Sequence, residues 1–212
     1  MTSIRRIVLS SMALAAAALS SAATLDMWVN RTGNTAHSPV ITAFAGTQVK
    51  LTVYFQTSGV GAPSQIGGML AWDKTTNGAT GSSAIPSGNG LSLVAGSFAY
   101  SSSYAANDFL HGSAGGSGSN SNSTTRYGYY ADTFTTGTMP SAEGVATAYY
   151  SLTLNVSYAA AGDYPLVIYV DPSGTIGPFS SYIYDGNGAS SKANAYTATL
   201  RIFPLLNSPN PP

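Results

Sequence analysis

Apolar and polar residues alternate with a period of two at several places along the chain, and this pattern predicts β-strands. The clearest example is the segment 47–55, which is bracketed by Gly46 and by the turn residues 57–59. Its apolar face carries Val49, Leu51, Val53 and Phe55. Tyr54 falls on the opposite, polar face, so the pattern predicts a half-buried strand with an exposed tyrosine.

The segment 145–158 repeats this pattern. One face carries Tyr150, Leu152, Leu154 and Val156. The other carries Thr147, Tyr149, Ser151, Thr153 and Asn155. Tyr149 is therefore predicted to be exposed, like Tyr54.

Weaker strand signals fill the rest of the chain, and no segment after the first residues keeps a helical period for more than two turns. They cover residues 25–30, 40–44, 65–72, 91–98, 125–134, 164–170, 181–184 and 195–203. Roughly nine short strands joined by Gly, Ser and Asn turns predict an all-β fold, a single antiparallel β-sandwich of jelly-roll or Greek-key type over residues 24–203.

Two Gly- and Ser-rich stretches interrupt the strands. Residues 74–90 and 101–124 contain too few apolar side chains to offset the entropy of ordering them. We expect both to be mobile loops, with Tyr100, Tyr104 and Phe109 pinning the start of the second.

The two ends of the sequence differ from the middle. Arg5 and Arg6, an apolar run over 7–19 and small residues at 20–23 predict a secretory signal peptide over residues 1–23. The run is shorter than the ~20 residues that span a bilayer, so no membrane span is expected after cleavage. Residues 204–212 form a Pro-rich tail. The predicted location is secreted, either extracellular or at the cell surface.

Charge is sparse and cysteine is absent. Without Arg5 and Arg6, six basic residues remain against eight acidic ones, a formal charge of −2. A nucleic-acid partner is not expected, because phosphates are bound by clustered Lys and Arg. Without disulfides, stability must come from apolar burial and backbone pairing.

Several short motifs are similar to those of a known group of domains. They are Ala45–Val49, the glycine-containing Ile66–Asp73, Leu93–Phe98, Leu152–Val156 and the turn Ala159–Tyr164. Together they resemble the cohesin-like, carbohydrate-binding-module-like sandwiches of secreted bacterial proteins. The resemblance implies binding of polysaccharide or protein at the cell exterior.

Two departures limit what this resemblance implies. Asp73–Lys74–Thr75 stands where such domains have Asn-Pro or Asp-Pro, and no duplicated calcium loop of the dockerin kind is present. The resemblance therefore supports the fold but not cohesin–dockerin pairing in particular.

The sequence offers no organised catalytic group, so an enzyme is not predicted and no catalytic residue is assigned. The two histidines, His37 and His111, are far apart, and the second lies in a predicted loop. Glu143 is the single glutamate and sits in a turn, whereas a glycosidase needs two carboxylates.

No cofactor is predicted, although calcium is possible. Asp171, Asp185 and Asn187 supply oxygen ligands in tight turns. The alternative is that Asp-Gly and Asn-Gly serve only as hairpin turns.

Tyrosine is the aromatic residue in surplus, with 14 copies against 7 Phe and 2 Trp. Tyr54, Tyr127, Tyr129 and Tyr149 are the candidate ligand-binding residues, since Gly128 between two of them leaves room for a flat ligand. The alternative is that these tyrosines pack across strands, as in any sandwich.

The sequence thus predicts a secreted, non-catalytic module that binds polysaccharide or a cell-surface protein through a tyrosine-lined sheet face. The alternative is a structural subunit that assembles with copies of itself. In that case the strand 25–30 would insert into the sheet of a neighbour.

Overall fold

The computed structural model describes residues 23–73, 90–114, 126–137, 139–158, 160–170, 180–185 and 190–205. Thirteen strands and one short 3₁₀ helix, Ala105–Asn107, lie within them. The strands are β1 (Thr24–Arg31), β2 (Val40–Phe44), β3 (Gln48–Ser58), β4 (Pro63–Asp73), β5 (Leu91–Leu93), β6 (Ala99–Tyr100), β7 (Asp108–Ala114), β8 (Arg126–Phe134), β9 (Thr147–Val156), β10 (Gly162–Ile168), β11 (Tyr182–Asp185), β12 (Ser190–Ala195) and β13 (Ala198–Phe203).

The strands form two layers of a sandwich. In one layer β9 pairs with β3, β5 and β6, and β3 pairs in turn with β1. In the other, β8 lies between β7 and β4, and the far edge of β4 pairs with β11 and β10. Pairing of β11 with β12, and of β12 with β1, joins the layers, while β10 continues to β13 and β2. The predicted all-β sandwich is confirmed.

One apolar core fills the space between the layers, built from the alternating positions that the sequence predicts. Val49, Leu51, Val53 and Phe55 of β3 are all buried in it. Leu152, Leu154 and Val156 of the neighbouring strand β9 lie beside them in the same layer, where Leu152 is opposite Leu51 and Leu154 is opposite Val49. Burial of this kind is the main stabilising term in a domain without disulfides.

The register between β3 and β9 shifts at Tyr149. Val53 is opposite Tyr150, but Tyr54 is opposite Ala148, so Tyr149 is an extra residue in a β-bulge. A bulge breaks the period of two, and two consecutive side chains can therefore point to the same side. Tyr149 and Tyr150 are both buried in the core.

Their hydroxyls connect the layers through hydrogen bonds to backbone atoms. Tyr149 donates to the carbonyl of Ile66 on β4, and Tyr150 to that of Tyr129 on β8 (3.2 Å). The Tyr150 hydroxyl also accepts the Leu70 N–H (3.0 Å). Burial raises the pKa of both phenols, which stay neutral.

Part of the stretch 101–124 is ordered, and the loop prediction was wrong there. Residues 108–114 form β7 because Leu110 and its neighbours pair with β8. Tyr104 is buried and donates to the Pro140 carbonyl (3.2 Å), and Tyr100 donates to the Asp132 carbonyl (3.1 Å). These two tyrosines do pin the segment, whereas Phe109 is 62% exposed.

Two of the predicted strands are shorter in the structure than the sequence pattern indicates. The strand predicted over 91–98 ends at Leu93, because Gly96 adopts a positive φ of 69° and Ser97 donates its N–H back to the Val94 carbonyl (3.1 Å). The segment 195–203 is interrupted where the Tyr196 N–H bonds to the Met27 carbonyl (3.0 Å).

Residues 1–22 and 206–212 lie outside the described part of the chain, so the signal peptide and most of the Pro-rich tail stay predictions. Among the described residues, no helix has the length and hydropathy needed to cross a membrane.

Candidate functional site

The outer surface of β7, β8, β4 and β11 is an aromatic face with one carboxylate near its middle. We call it the open face. Alternation along β8 places Tyr129 and Ala131 in the core, so Tyr130, Asp132 and Phe134 point outward. The open face carries Gln65, Gly67 and Met69 of β4, Leu110 of β7, Tyr130, Asp132 and Phe134 of β8, and Tyr182 and Tyr184 of β11. Within it Gly67, Met69, Asp132 and Tyr182 are buried, Gln65, Tyr130 and Tyr184 are half-buried, and Leu110 and Phe134 are exposed.

Asp132 is 2% exposed and holds a hydrogen-bonded network on this face. Tyr182 donates its hydroxyl to Asp132 Oδ2 (2.8 Å), and Gln65 Nε2 lies 3.1 Å from both carboxylate oxygens. Gln65 Nε2 also lies 2.8 Å from the Tyr182 hydroxyl. Burial raises the pKa of Asp132 above its usual range, and the bonds from Tyr182 and Gln65 partly oppose this shift.

Gly67 makes this network possible. It is the register partner of both Tyr182 and Asp132, and a Cβ at this position would lie 2.8 Å from Tyr182 Cζ. The missing side chain lets the tyrosine ring lie flat across β4 and reach the carboxylate on the next strand.

Three apolar side chains are exposed at the β7 end of the open face. Phe109, Leu110 and Phe134 are accessible to solvent, and the rings of Phe109 and Phe134 have centroids 5.9 Å apart. Leu110 is the register partner of Asp132, so the apolar cluster adjoins the polar network. Exposed apolar side chains that adjoin one another are typical of interaction surfaces.

An aromatic clamp fixes β7, which forms the edge of this face. His111 stacks on Phe98 with centroids 4.7 Å apart, and Phe98 stacks in turn on Tyr129 (4.8 Å). His111 Nδ1 pairs with Asp108 at 2.9 Å. Because the clamp connects β7 to the other layer, the edge strand is held in place before any partner binds.

Tyr54 is not exposed, and this prediction was wrong. It does lie on the outer face of β3, but the segment 32–37 folds over it and leaves 3% of its surface accessible. The Gly33 N–H bonds to the Tyr54 hydroxyl (3.0 Å), and Trp28 stacks beside the ring. Trp28 in turn donates Nε1–H to the Thr35 carbonyl (3.2 Å).

Tyr149 and Tyr129 are also buried, contrary to the predicted tyrosine-lined surface. The bulge turns Tyr149 inward, and Tyr129 packs against Phe98 in the core. Gly128 leaves no room for a flat ligand, since a Cβ there would lie 2.7 Å from the Cα of Ala71 on β4. The side chain of Tyr127 lies outside the described part.

The predicted calcium ligands are not tested. Asp171 and Asn187 fall outside the described residues, as does the side chain of Asp185. Within the described ranges, no group of three or more His, Cys, Asp or Glu side chains is close enough to bind a metal ion.

The other described carboxylates have structural partners. Glu143 accepts the Gly59 N–H (2.7 Å) in the turn where the sequence places it. Asp163 pairs with Arg201 (2.9 Å), and Asp26 accepts from Asn194 (2.9 Å). Nothing in these contacts pairs Asp132 with a second carboxylate, as a glycosidase would need.

The open face was missed for a reason that can be read from the sequence. The sequence prediction places Tyr129 on the outer side of its strand, whereas the structure has Tyr130 there, and alternation along one strand puts only one of two neighbours outside. An Asp in mid-strand, between Ala131 and Thr133, is the signal that could have indicated the correct face, because strands are poor in Asp.

The fold is that of the cohesin-like β-sandwiches, as the short motifs suggested. The sequence matches no protein-family model and no curated protein. The sixth cohesin from Acetivibrio cellulolyticus scaffoldin B, solved in complex with the Cel5 dockerin, is similar with a TM-score of 0.52 and 12% identity over 85% of this chain and 99% of that one.

Two further solved cohesins show a weaker likeness. The seventh type I cohesin of ScaB from Pseudobacteroides cellulosolvens has a TM-score of 0.49 and 11% identity, over 89% of this chain and 96% of its own. The non-cellulosomal cohesin from the archaeon Archaeoglobus fulgidus has a TM-score of 0.46 and 13% identity, over 85% of this chain and 91% of its own.

Proposed function

We propose that this protein is a non-catalytic extracellular module that binds a partner protein through the open face. The observation that carries the proposal is the exposed cluster of Phe109, Leu110 and Phe134 beside the buried Asp132 network. A protein interface usually combines apolar anchor residues with neighbouring hydrogen-bonding groups.

The similar Acetivibrio cohesin was solved in complex with a dockerin, which supports a protein as the partner class. The open face exposes the apolar side chains of Phe109, Leu110 and Phe134, whereas its carboxylate, Asp132, is buried and already accepts hydrogen bonds from Tyr182 and Gln65. We therefore expect a partner that contributes apolar side chains rather than a cluster of charges.

Self-assembly through the first strand is less favoured than a partner of another sequence. β1 already pairs with β3 along its whole length and with β12 at Leu25–Met27. Arg31 also donates two hydrogen bonds to the Thr42 carbonyl of β2 (2.6 and 3.1 Å). A strand that pairs on both sides must leave its own sheet before it can enter another.

The location is tested on the exported protein. Cleavage of the predicted signal peptide after Ala22 or Ala23 gives a mature chain that begins at Ala23 or Thr24, which N-terminal sequencing of the secreted product determines. Recovery of the chain with Met1 intact in the medium would contradict it.

The face is tested with a charge-matched pair of variants, Leu110→Lys on the open face and Ala99→Lys on β6 of the other layer. Both put one lysine at an exposed strand position. Immobilised wild type and variants are incubated with culture medium of the source organism, and retained proteins are quantified by mass spectrometry.

We expect at least one protein of the medium to be retained equally by wild type and by Ala99→Lys. The amount of that protein retained by Leu110→Lys should be lower by at least about tenfold, since burying a lysine without a partner in the interface is costly. Equal retention by both variants would contradict the assignment of the face.

A further inference from the structure

A second concave surface lies at one end of the other layer and is unrelated to the open face. It is a cleft of about 340 Å³ between the turn before β3, the start of β5 and the end of β9. This volume is at the lower end of the ~300–1,000 Å³ typical of small-molecule sites. The open face contributes none of the residues that line it.

The chemistry of the lining is neutral and polar around one aromatic ring. Thr47, Gln48, Ser92, Asn155 and Ser157 supply hydroxyl and amide groups, and the lining residues that the structure describes include no Asp, Glu, Lys, Arg or His. Such a lining offers no counter-charge to a phosphate or carboxylate. It suits a ligand that carries many hydroxyl groups and no charge.

Tyr158 supplies the aromatic surface and is 66% exposed, the most accessible tyrosine among the large exposed side chains. Its ring rests against Gly46, where a Cβ would lie 2.7 Å from Tyr158 Cζ. Gly46 has a positive φ of 77°, which a residue with a side chain rarely adopts. The glycine thus seats the ring on the backbone while the rest of its surface remains open to the cleft.

The amides of Gln48 and Asn155 are oriented by each other. Gln48 Nε2 donates to Asn155 Oδ1 (2.9 Å), which leaves the Gln48 oxygen as an acceptor and the Asn155 amide as a donor. A paired amide of this kind holds one donor and one acceptor side by side. That is the arrangement needed to bind adjacent hydroxyls.

The walls are fixed by backbone hydrogen bonds across the three segments. Gly46 N donates to the Val156 carbonyl (2.8 Å), Val156 N to the Thr47 carbonyl (2.8 Å) and Ser157 N to the Gly90 carbonyl (2.7 Å). A pre-formed site loses little ordering entropy on binding.

From these observations we propose that the cleft is a binding site for a neutral sugar unit of a polysaccharide. The C–H face of the sugar ring packs on Tyr158, while its hydroxyls bond to Gln48 and Asn155. This site is independent of the protein-binding function proposed above, and either can fail alone.

Native gel electrophoresis of the purified protein in gels containing xylan, galactomannan or hydroxyethyl cellulose tests the site. Wild type is expected to be retarded in at least one of these gels. Tyr158→Ala should weaken the apparent affinity about tenfold and Gln48→Leu about fivefold, whereas Tyr158→Phe keeps the ring and should stay within about twofold of wild type.

Tyr196→Ala is the matched control, because Tyr196 is also an exposed tyrosine but packs on His37 outside the cleft. It should be retarded like wild type. The proposal would be overturned if wild type were not retarded in any of the three gels. It would also be overturned if Tyr158→Ala and Gln48→Leu were both retarded as strongly as wild type. A Leu110→Lys variant that loses its partner protein but is retarded normally would show that the two sites are separate.

Discussion

The two outer surfaces of the sandwich both carry tyrosines at positions where alternation predicts polar residues, yet their environments differ. On β3, the segment 32–37 covers Tyr54 and bonds to its hydroxyl. On β8 and β11, Tyr130 and Tyr184 keep part of their surface accessible. Alternation therefore decides which side of a strand a residue takes, but a loop decides whether that side is exposed.

The covered surface is held by contacts of a kind found inside proteins. Asn30 donates Nδ2–H to the Ala36 carbonyl (2.6 Å), and Thr32 and Thr52 pair through their hydroxyls (2.8 Å). The open face instead combines one buried network with exposed apolar side chains. The first arrangement stabilises the fold, and the second leaves surface for a partner.

The largest change in the free energy of unfolding is expected at Tyr149. This tyrosine lies inside the sandwich and serves as the standard against which tyrosines on the two outer surfaces are compared. Tyr149→Ala removes a fully buried ring and should lower the free energy of unfolding by about 3–5 kcal/mol. Tyr149→Phe keeps the ring but loses the hydrogen bond to the Ile66 carbonyl, at about 1–3 kcal/mol. Urea unfolding followed by fluorescence measures both, and a loss below about 1 kcal/mol for Tyr149→Ala would show that the bulge does not turn this residue inward.

The comparison of the two surfaces is tested by Tyr54→Ala and Tyr184→Ala, which delete the same side chain on each. Tyr54→Ala should cost about 3 kcal/mol, because the covering segment loses its support. Tyr184→Ala should cost less than about 1 kcal/mol, since its ring is partly exposed and touches Tyr182 edge-on. Equal losses in urea unfolding would remove the distinction between a covered and an open surface.

The smallest effect is a change in pH dependence at Asp132. Its folded-state pKa is raised, so the folded protein binds a proton that the unfolded chain has released, and wild type loses stability as the pH rises from about 4. Asp132→Asn cannot ionise. Its free energy of unfolding relative to wild type should therefore be higher at pH 7 than at pH 3.

Asp163→Asn is the control for that measurement. Arg201 lowers the pKa of Asp163, so this pair stabilises wild type more as the pH rises. The free energy of unfolding of Asp163→Asn relative to wild type should therefore be lower at pH 7 than at pH 3. Unfolding curves at pH 3 and pH 7 should give opposite pH trends for the relative stabilities of Asp132→Asn and Asp163→Asn. Opposite trends would show that burial, rather than a nearby positive charge, sets the pKa of Asp132. A relative stability of Asp132→Asn that falls with pH would contradict it.

Much of the fold could be predicted because the core strands keep a strict alternation. The segment 47–55 and the apolar face of β9 lie where the pattern places them. β7 was missed because its composition is that of a loop, and it is ordered by pairing with β8 and by the stacking of His111 on Phe98. Such non-local contacts are not visible in a local pattern.

For the candidate site, the sequence predicts that a sheet face carries tyrosines but not which tyrosines lie on it. A tyrosine-bearing sheet face exists, but one bulged residue turned Tyr149 inward and one covering segment buried Tyr54. Both events depend on where distant segments lie. The Tyr182–Asp132–Gln65 network joins three strands that are far apart in sequence.

Nitration of tyrosines in the native protein by tetranitromethane, mapped by peptide mass spectrometry, tests which aromatic surface is accessible. Tyr158 should react first, and Tyr196 and then Tyr184 should follow, while Tyr54 and Tyr149 should remain unmodified until the protein is unfolded. Modification of Tyr54 at the rate of Tyr184 would contradict the assignment of the surface of β7, β8, β4 and β11 as the one available to a partner.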